Sequence, residues 1–463
     1  MSKFINPKYL NWNEYHSQII SSLCLRFKEE NLRYFILRNY EGLPMSNKSK
    51  DVDIVVEPKR VGIARGILKS VYKINGLSNF HEVKYGNVYC CHGMDINKKM
   101  GIHIDIIGSY VSKGSEIFTF EELYIHTEDY RGLRVLNKYF EGVMIFIYKQ
   151  FNYKPILKKE YQEIIYNTHK DFPQFKVLIS KLTGNELAEK IFNQIENKDF
   201  DKMLRHSRDL TRALKKYALK KSFFKTIKYT FAFYIDKLNR IVFRYRKYSK
   251  VFSVIAPDGA GKTTFIDVLI ETINHYYVND KNDNRCMVYH FRPNIFPNLG
   301  ELGEKVGLKE QDKNFINPHR AKPANRLNSL VRLAYYWLDY IIGFNFLVRR
   351  DVQFDRFSVF DRYSYDLLVD PARTRLNLPM WLRKIFVKFM PHPKLVFFLD
   401  APAEVIFKRK QELTLNEISR QNKLYKEVVS SNKRFISLNS NRPVNEIVDE
   451  AIKIILKTFT QKL

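Results

Sequence analysis

Residues 251–264 read Val-Phe-Ser-Val-Ile-Ala-Pro-Asp-Gly-Ala-Gly-Lys-Thr-Thr. The first five form a short apolar run of β-branched and aromatic residues, as in a buried strand. The turn from Ala256 to Thr263 has the spacing of a phosphate-binding loop, with Ala256 in place of the usual first glycine. Small residues at Gly259, Ala260 and Gly261 let successive backbone N–H groups wrap a phosphate. Asp258 precedes them, Lys262 is placed to reach β- and γ-phosphates, and Thr263, followed by Thr264, offers a hydroxyl to Mg2+. The pattern from about 263 to 276 predicts a helix, whose N-terminal end favours an anion. Strand, glycine turn and helix occur in the order this chemistry requires.

Downstream, strands and helices alternate to the C-terminus, which predicts an α/β domain with a parallel sheet over 251–463. Strands are expected at Ser358–Phe360 and Leu395–Leu399. The apolar stretch Leu333–Val348 is shorter than the roughly 20 residues that span a bilayer and contains Asp339, so it reads as a core helix. Residues 307–326 are polar, with Pro318 and Pro323, and read as a loop.

The string DGAGKTT resembles that of thymidylate kinase and its nucleotide-kinase relatives, and the likeness covers roughly 251–463. It implies a P-loop kinase that uses ATP and Mg2+ to phosphorylate a nucleotide- or sugar-phosphate-like acceptor. Phe360-Asp361-Arg362-Tyr363 is similar to the family's Asp-Arg-Tyr motif. By that resemblance Arg362 holds the acceptor's phosphate and Asp361 sits by Mg2+ and the phosphates in transfer. Asp400-Ala401-Pro402 resembles the end of the late strand, and Lys408-Arg409-Lys410 the start of a cationic lid, with Arg409 catalytic. Asp258 stands where such kinases carry an acidic residue near the acceptor sugar. The family's Arg-Glu-Pro turn is replaced by His290-Phe291-Arg292-Pro293-Asn294. Arg292 falls in place of that arginine; the glutamate that goes with a thymidylate acceptor is missing.

The N-terminal part reads differently. A helix is expected over 13–30, a strand at Leu32–Leu37, a turn containing Gly42 and Pro44, and a strand at Val52–Val56 opened by Asp51. A helix over about 60–73 follows, then a hairpin of Val88–His92 and Ile102–Ile107 around Asn97–Gly101, with Cys90 and Cys91 as hairpin residues. From about 118 to 220 the pattern reads as helical, with breaks at Pro155 and Pro173. Asp51 and Asp53 are two apart on a strand and so share a face. Asp105, in His103-Ile104-Asp105-Ile106, is expected on a neighbouring strand, with His103 on the same face. Three carboxylates so placed make an oxygen-ligand site for two Mg2+ ions.

This arrangement resembles the nucleotidyltransferase superfamily that includes DNA polymerase β, over about residues 15–150. The branch it resembles has Leu37-Arg38-Asn39-Tyr40 and Leu43-Pro44 before the acidic strand. The resemblance implies an α+β domain with Asp51, Asp53 and Asp105 as metal ligands. The superfamily's usual Gly-Ser before the acidic pair is replaced by Arg38-Asn39. Either Arg38 supplies the phosphate contact by charge, or the domain binds without catalysing.

The 463 residues are 45% hydrophobic and 27% charged, a globular composition sufficient for two to three domains. The net charge of +29 requires anionic partners and divides unevenly: +6 over 1–200, +13 over 201–250 and +10 over 251–463. Four cysteines make no disulfide framework, and no CxxC pair marks a zinc site. The N-terminus has no signal-peptide core, which predicts a cytoplasmic protein. Three segments are expected: 1–150 nucleotidyltransferase-like, 151–250 helical and ending in a basic connector, and 251–463 kinase-like.

In the connector, Phe223, Ile227, Phe231, Tyr234, Leu238, Ile241 and Tyr245 recur at steps of three and four, with lysines and arginines over the rest. Three readings stand: a linker helix whose stripe packs on a domain, an in-plane helix on an anionic membrane through 221–247, or a nucleic-acid contact. Fusions of this kind resemble proteins encoded among bacterial surface-polysaccharide genes, which favours peripheral attachment to the inner membrane surface over nucleic acid. The whole reads as a bifunctional kinase and nucleotidyltransferase. A nucleic-acid-binding or repair factor with a kinase domain is the alternative.

Overall fold

The computed structural model describes residues 12–47, 49, 51–149, 157–239, 250–278, 285–297, 324–430 and 432–463. The expected break at Pro155, most of the 307–326 loop and the stripe positions beyond 239 lie outside them. The chain forms two compact units, Met1–Leu238 with Gln461–Leu463, and Asn239–Thr460.

The first unit opens with the helix Glu14–Glu29, which Asn13 caps by accepting from the His16 backbone N–H. Its sheet contains β1 (Tyr34–Ile36), β2 (Val52–Val56), β3 (Asn79–Tyr85), β4 (Val88–Asp95) and β5 (Met100–Ile107). The short pair β6 (Val111–Ser112) and β7 (Ser115–Glu116) stands apart, and β8 (Thr127–Tyr130) and β9 (Leu133–Leu136) complete the sheet. The strand order is β3-β4-β5-β2-β1-β9-β8, with Gln461–Lys462 added at the β3 edge. The β4–β5 hairpin is as expected, and β5 runs parallel to β2 at the centre.

The helical reading of 118–220 fails at β8 and β9. Arg131 and Gly132 both adopt left-handed φ, +53° and +78°, the requirement of a two-residue hairpin turn. β9 is then recruited by β1 in parallel, Ile36 opposite Val135. A long-range partner, not local propensity, makes these residues strand. Beyond them the helices from Lys138 to Lys221 bury Phe146, Ile165, Phe175, Phe192 and Leu214 in one core with Phe35 and Val55 of the sheet. A second core, with Ile20, Phe27, Ile54, Tyr72 and Ile104, packs the helices Glu14–Glu29 and Val61–Ile74 against the sheet.

In the connector helix, Phe223–Asn239, the described part of the stripe does not pack on the first unit. Phe223, Ile227, Phe231, Tyr234 and Leu238 are all exposed, and the only buried residue of the helix is Thr226.

Among its described residues the second unit has five parallel strands, β10 (Val251–Ile255), β11 (Cys286–His290), β12 (Phe357–Asp361), β13 (Leu395–Asp400) and β14 (Phe435–Asn439). Their order is β11-β12-β10-β13-β14. Every residue of β10 is buried, as expected of a parallel strand covered on both faces. The apolar stretch 333–348 is helical, within Arg326–Gly343 and a wider turn at Phe344–Val348. Lys250, just before β10, is a buried ion-pair partner of Asp355 at 2.8 Å.

Candidate functional sites

Two constellations form, one in each unit. In the second, Gly259 and Gly261 take left-handed φ of +88° and +90°, and Gly261 caps the helix Lys262–Tyr276. Ala256 is not among the left-handed residues, so alanine serves where the motif usually has glycine. A Cβ at 259 would lie 3.0 Å from the Lys410 Cβ and 3.2 Å from the Ile406 carbonyl oxygen. The loop and the start of the expected lid therefore approach at backbone distance.

Lys262 is buried and folded back on its own loop, donating to the carbonyls of Ala256 at 2.9 Å and Pro257 at 2.8 Å. Burial, helped by the Arg362 charge, lowers its ammonium to about 7. Thr263 and Thr264 are exposed in the first turn of the helix.

β12 lies beside β10 with Asp361 opposite Val254, and the Arg362 N–H donates to the Val254 carbonyl at 2.9 Å. This pairing carries Asp361 and Arg362 to the carboxyl end of β10, where the phosphate loop begins. His290 faces Asp361 from β11, with Nδ1 3.0 Å from Oδ2. Burial pushes the Asp361 carboxyl up, but the His290 hydrogen bond and the Lys262 charge outweigh it and hold it below its ordinary value. The other oxygen, Oδ1, is buried with no hydrogen-bond partner among the described residues.

Arg362 takes a left-handed φ of +73°, rare for a residue with a long side chain. Its buried guanidinium binds Asp366 at 2.7 Å and Asp258. Tyr425 donates to the second oxygen of Asp366 at 2.9 Å. Arg373 also binds Asp258 and reaches Asp370 at 3.4 Å. Sequence reading missed Arg373: it lies in Pro371-Ala-Arg-Thr-Arg, which has no periodicity or motif. Around the loop, Asp258, Asp361, Asp366 and Asp370 stand against Lys262, Arg362 and Arg373. The orphaned Asp361 oxygen fits a divalent cation.

Arg409 is placed differently. It ends the helix Ala403–Arg409 and donates from both terminal nitrogens to the Ser440 carbonyl at 3.2 Å, just beyond β14. Arg292 is buried, 3.1 Å from Asp339, and donates to the carbonyls of Phe296 and Pro297. Asp339 in turn accepts from the N–H groups of Asn294 and Phe296. Arg292 therefore braces its own loop. A cavity of about 650 Å³, lined by Ala401, Glu404, Asn422 and Lys426 among others, does not include Lys262, Asp361 or Arg362.

In the first unit Asp53 on β2 and Asp105 on β5 are direct register partners on parallel strands. Oxygens of Asp51, Asp53 and Asp105 lie within 4.8 Å of one another, which meets the spacing of a shared hard cation. Burial pushes the Asp53 carboxyl up to about 6 against the Arg38 guanidinium, which donates to it at 2.7 Å. At Asp51 burial also works upward, but the charges of His103 and Arg38 outweigh it and hold that carboxyl low. Asn39, in the position compared with the superfamily's Gly-Ser, has a left-handed φ of +57° and donates its N–H to Glu141 at 3.0 Å. Asparagine enters that region more readily than most residues.

His103 Nε2 lies 2.8 Å from Asp105. His103, His92 and His81 are cross-strand neighbours, with ring centroids 4.0 Å and 6.0 Å apart. Cys90, opposite Asp105, joins His103 and Asp105 in a second set of ligand atoms within 4.8 Å. The sequence offered only His103 of this row, because cross-strand register is invisible until the strands are paired.

No protein-family model and no curated protein sequence matches the chain. Among solved structures, the chain is similar to a crystal structure of thymidylate kinase from Ehrlichia chaffeensis. The identity is 15% and the TM-score 0.30, over 44% of this chain and 97% of that one.

Proposed function

We propose that the second unit transfers a phosphoryl group from ATP to a nucleotide- or sugar-phosphate-like acceptor. The observation that carries this reading is the convergence of Lys262, Asp361 and Arg362 at the carboxyl ends of β10 and β12. Phosphoryl transfer needs mainly positioning and charge neutralisation. The N–H groups of 259–263 wrap the phosphates, and Lys262 leaves its loop carbonyls for a nucleotide oxygen. Mg2+ would be held by Thr263 and Asp361 and would neutralise charge on the β- and γ-oxygens. Arg362, with Arg373 beside it, receives the acceptor's phosphate by exchanging it for Asp258. An acceptor oxygen then attacks the γ-phosphorus and ADP leaves. Arg409 would act only after its segment moves from Ser440. Labelled ATP incubated with nucleotides, sugar phosphates and lipid-linked sugars tests this: the label should move to one class, and Lys262→Ala should abolish transfer. Absence of ATP binding by the native chain refutes it.

A second reading is favoured for the first unit by the Asp53–Asp105 register and the nearby Asp51. It is a metal-dependent, nucleotidyltransferase-like centre. Asp51, Asp53 and Asp105 would hold Mg2+, which would supply charge neutralisation for a nucleotide's phosphates. Arg38 would swing from Asp53 to the phosphates as the cation enters. The kinase product would be the first unit's substrate. If Lys262→Ala removes ATP binding yet the first unit still turns over when only the unphosphorylated acceptor is supplied, that coupling is wrong. Unchanged Mg2+-dependent nucleotide binding in Asp53→Asn would reduce the unit to a scaffold.

A further inference from the structure

The helix Phe223–Asn239 is inside out. Its inner face is small or polar: Thr226 donates to the Ala218 carbonyl at 3.0 Å, and Thr230 lies so close to Gly114 that a Cβ there would meet its hydroxyl at 2.3 Å. Lys225 pairs with Glu116, and Asp236 accepts from the Gly86 N–H. The outer face carries Phe224, Ile227, Phe231, Tyr234, Ile235 and Leu238 at steps of three and four, all exposed, Phe224 at 85% and Phe231 at 68%. A helix normally turns such a stripe to the core. Here the core side is already filled by the threonines and the ion pair.

The charges around that stripe have one sign. Asp236 is the only acidic residue of the helix and it is held inward by Gly86. Lys228 and Lys237 are exposed, and the sequence continues with Arg240, Arg244, Arg246 and Lys247 and no acidic residue before Asp258. We propose that this helix lies in the plane of an anionic lipid surface, its apolar stripe at the acyl boundary and its lysines on the headgroups. No helix among the described residues is long and apolar enough to cross a membrane. A second copy of the chain is a poorer occupant, since a two-fold interface sets the same basic rim against itself. Nucleic acid is poorer too, because phosphates would meet apolar side chains at the centre of the face, with cations only at its rim.

The test uses the full chain and vesicles of phosphatidylcholine alone or mixed with phosphatidylglycerol. Flotation with the mixed vesicles is expected, and a Phe231→Trp variant should blue-shift its added emission on binding. Ile227→Ser with Phe231→Ser and Leu238→Ser should lower vesicle affinity by at least about tenfold. Unchanged thermal unfolding shows that this variant still folds. Lys228→Glu with Lys237→Glu should remove the preference for anionic vesicles. The proposal is overturned if Phe231→Trp does not respond to vesicles. It is equally overturned if the triple variant floats like the native chain. Dissociation of a dimer by that variant, without vesicle binding by the native chain, would assign the stripe to a second copy. Salt-sensitive oligonucleotide binding without flotation would assign it to nucleic acid.

Discussion

Asp258 and Arg362, 104 residues apart in the chain, meet in a largely buried ion pair at the phosphate-binding loop, and Arg373 binds the other oxygen of the same carboxylate. Two guanidinium groups are thus held on one acid. Under the proposed function an incoming phosphate would exchange with that acid without having to organise either arginine.

Arg362→Met is therefore expected to raise the acceptor's KM by about 10–100-fold, since charged hydrogen bonds contribute about 1.5–3 kcal/mol. ATP affinity should change little. Arg373→Met should act in the same direction and more weakly, its side chain being the more exposed of the two. Steady-state kinetics beside ATP titration checks this; an equal loss of ATP affinity would place Arg362 on the donor side.

Lys262 predicts a proton signature. Its ammonium is lowered to about 7 by burial, so in the free protein it is increasingly neutral above that pH. A bound polyphosphate restores the charge, so ATP binding near pH 8 should take up a proton. Calorimetry in buffers of different ionisation enthalpy measures the uptake, and Lys262→Met should abolish it. Stability follows from the same shift. Between pH 7 and the ordinary value of 10.5 the unfolded chain binds more protons, so the cost of Lys262 is complete below pH 7 and fades above. Lys262→Met should accordingly raise the unfolding temperature of the ATP-free protein most at or below pH 7.

Lys250 and Asp355 are unequal partners although both are buried. Asp355 also binds Arg285, so Lys250→Met leaves the carboxylate paired, whereas Asp355→Ala removes the shared carboxylate from two cations. Asp355→Ala should cost about 3–5 kcal/mol and Lys250→Met distinctly less, measured by denaturant unfolding. Equal losses would contradict the shared role of Asp355.

At the first unit's carboxylates, Asp53→Asn or Asp105→Asn should remove one class of Mn2+ sites followed by electron paramagnetic resonance, leaving any Mn2+ bound at Asp361 and phosphoryl transfer by the second unit in place. Cys90 and His103 add the ligands that zinc prefers. Zn2+ should therefore displace Mn2+ from the native chain, and less effectively from Cys90→Ser. Equal displacement in both would remove Cys90 from the site.

The parts of this fold legible in the sequence were those specified locally. Val251 to Thr263 names its own strand, turn and helix start, and the alternation around Asn97–Gly101 names its hairpin. The relation of Asp53 to Asp105 could be anticipated because Asp51-Val-Asp and His-Ile-Asp both carry strand patterning. Arg373, the hairpin at Arg131-Gly132 and the row His81–His92–His103 owe their places to distant partners, and no local pattern marks them. The connector illustrates a different limit. Periodicity drew the apolar stripe as far as Leu238, but the direction it faces was decided by Thr226, Thr230 and Gly114.

The strand order has a consequence for how the second unit is made. β10 is the first of the five parallel strands to be synthesised, yet it ends between β12 and β13, both of which come later. At about 5–20 residues per second, the loop after β10 waits several seconds for its arginine. During that time both edges of an apolar strand are open, the condition under which nascent chains pair with one another. Truncations that stop before β12 should for that reason produce insoluble material, and soluble protein should return only once β13 is included.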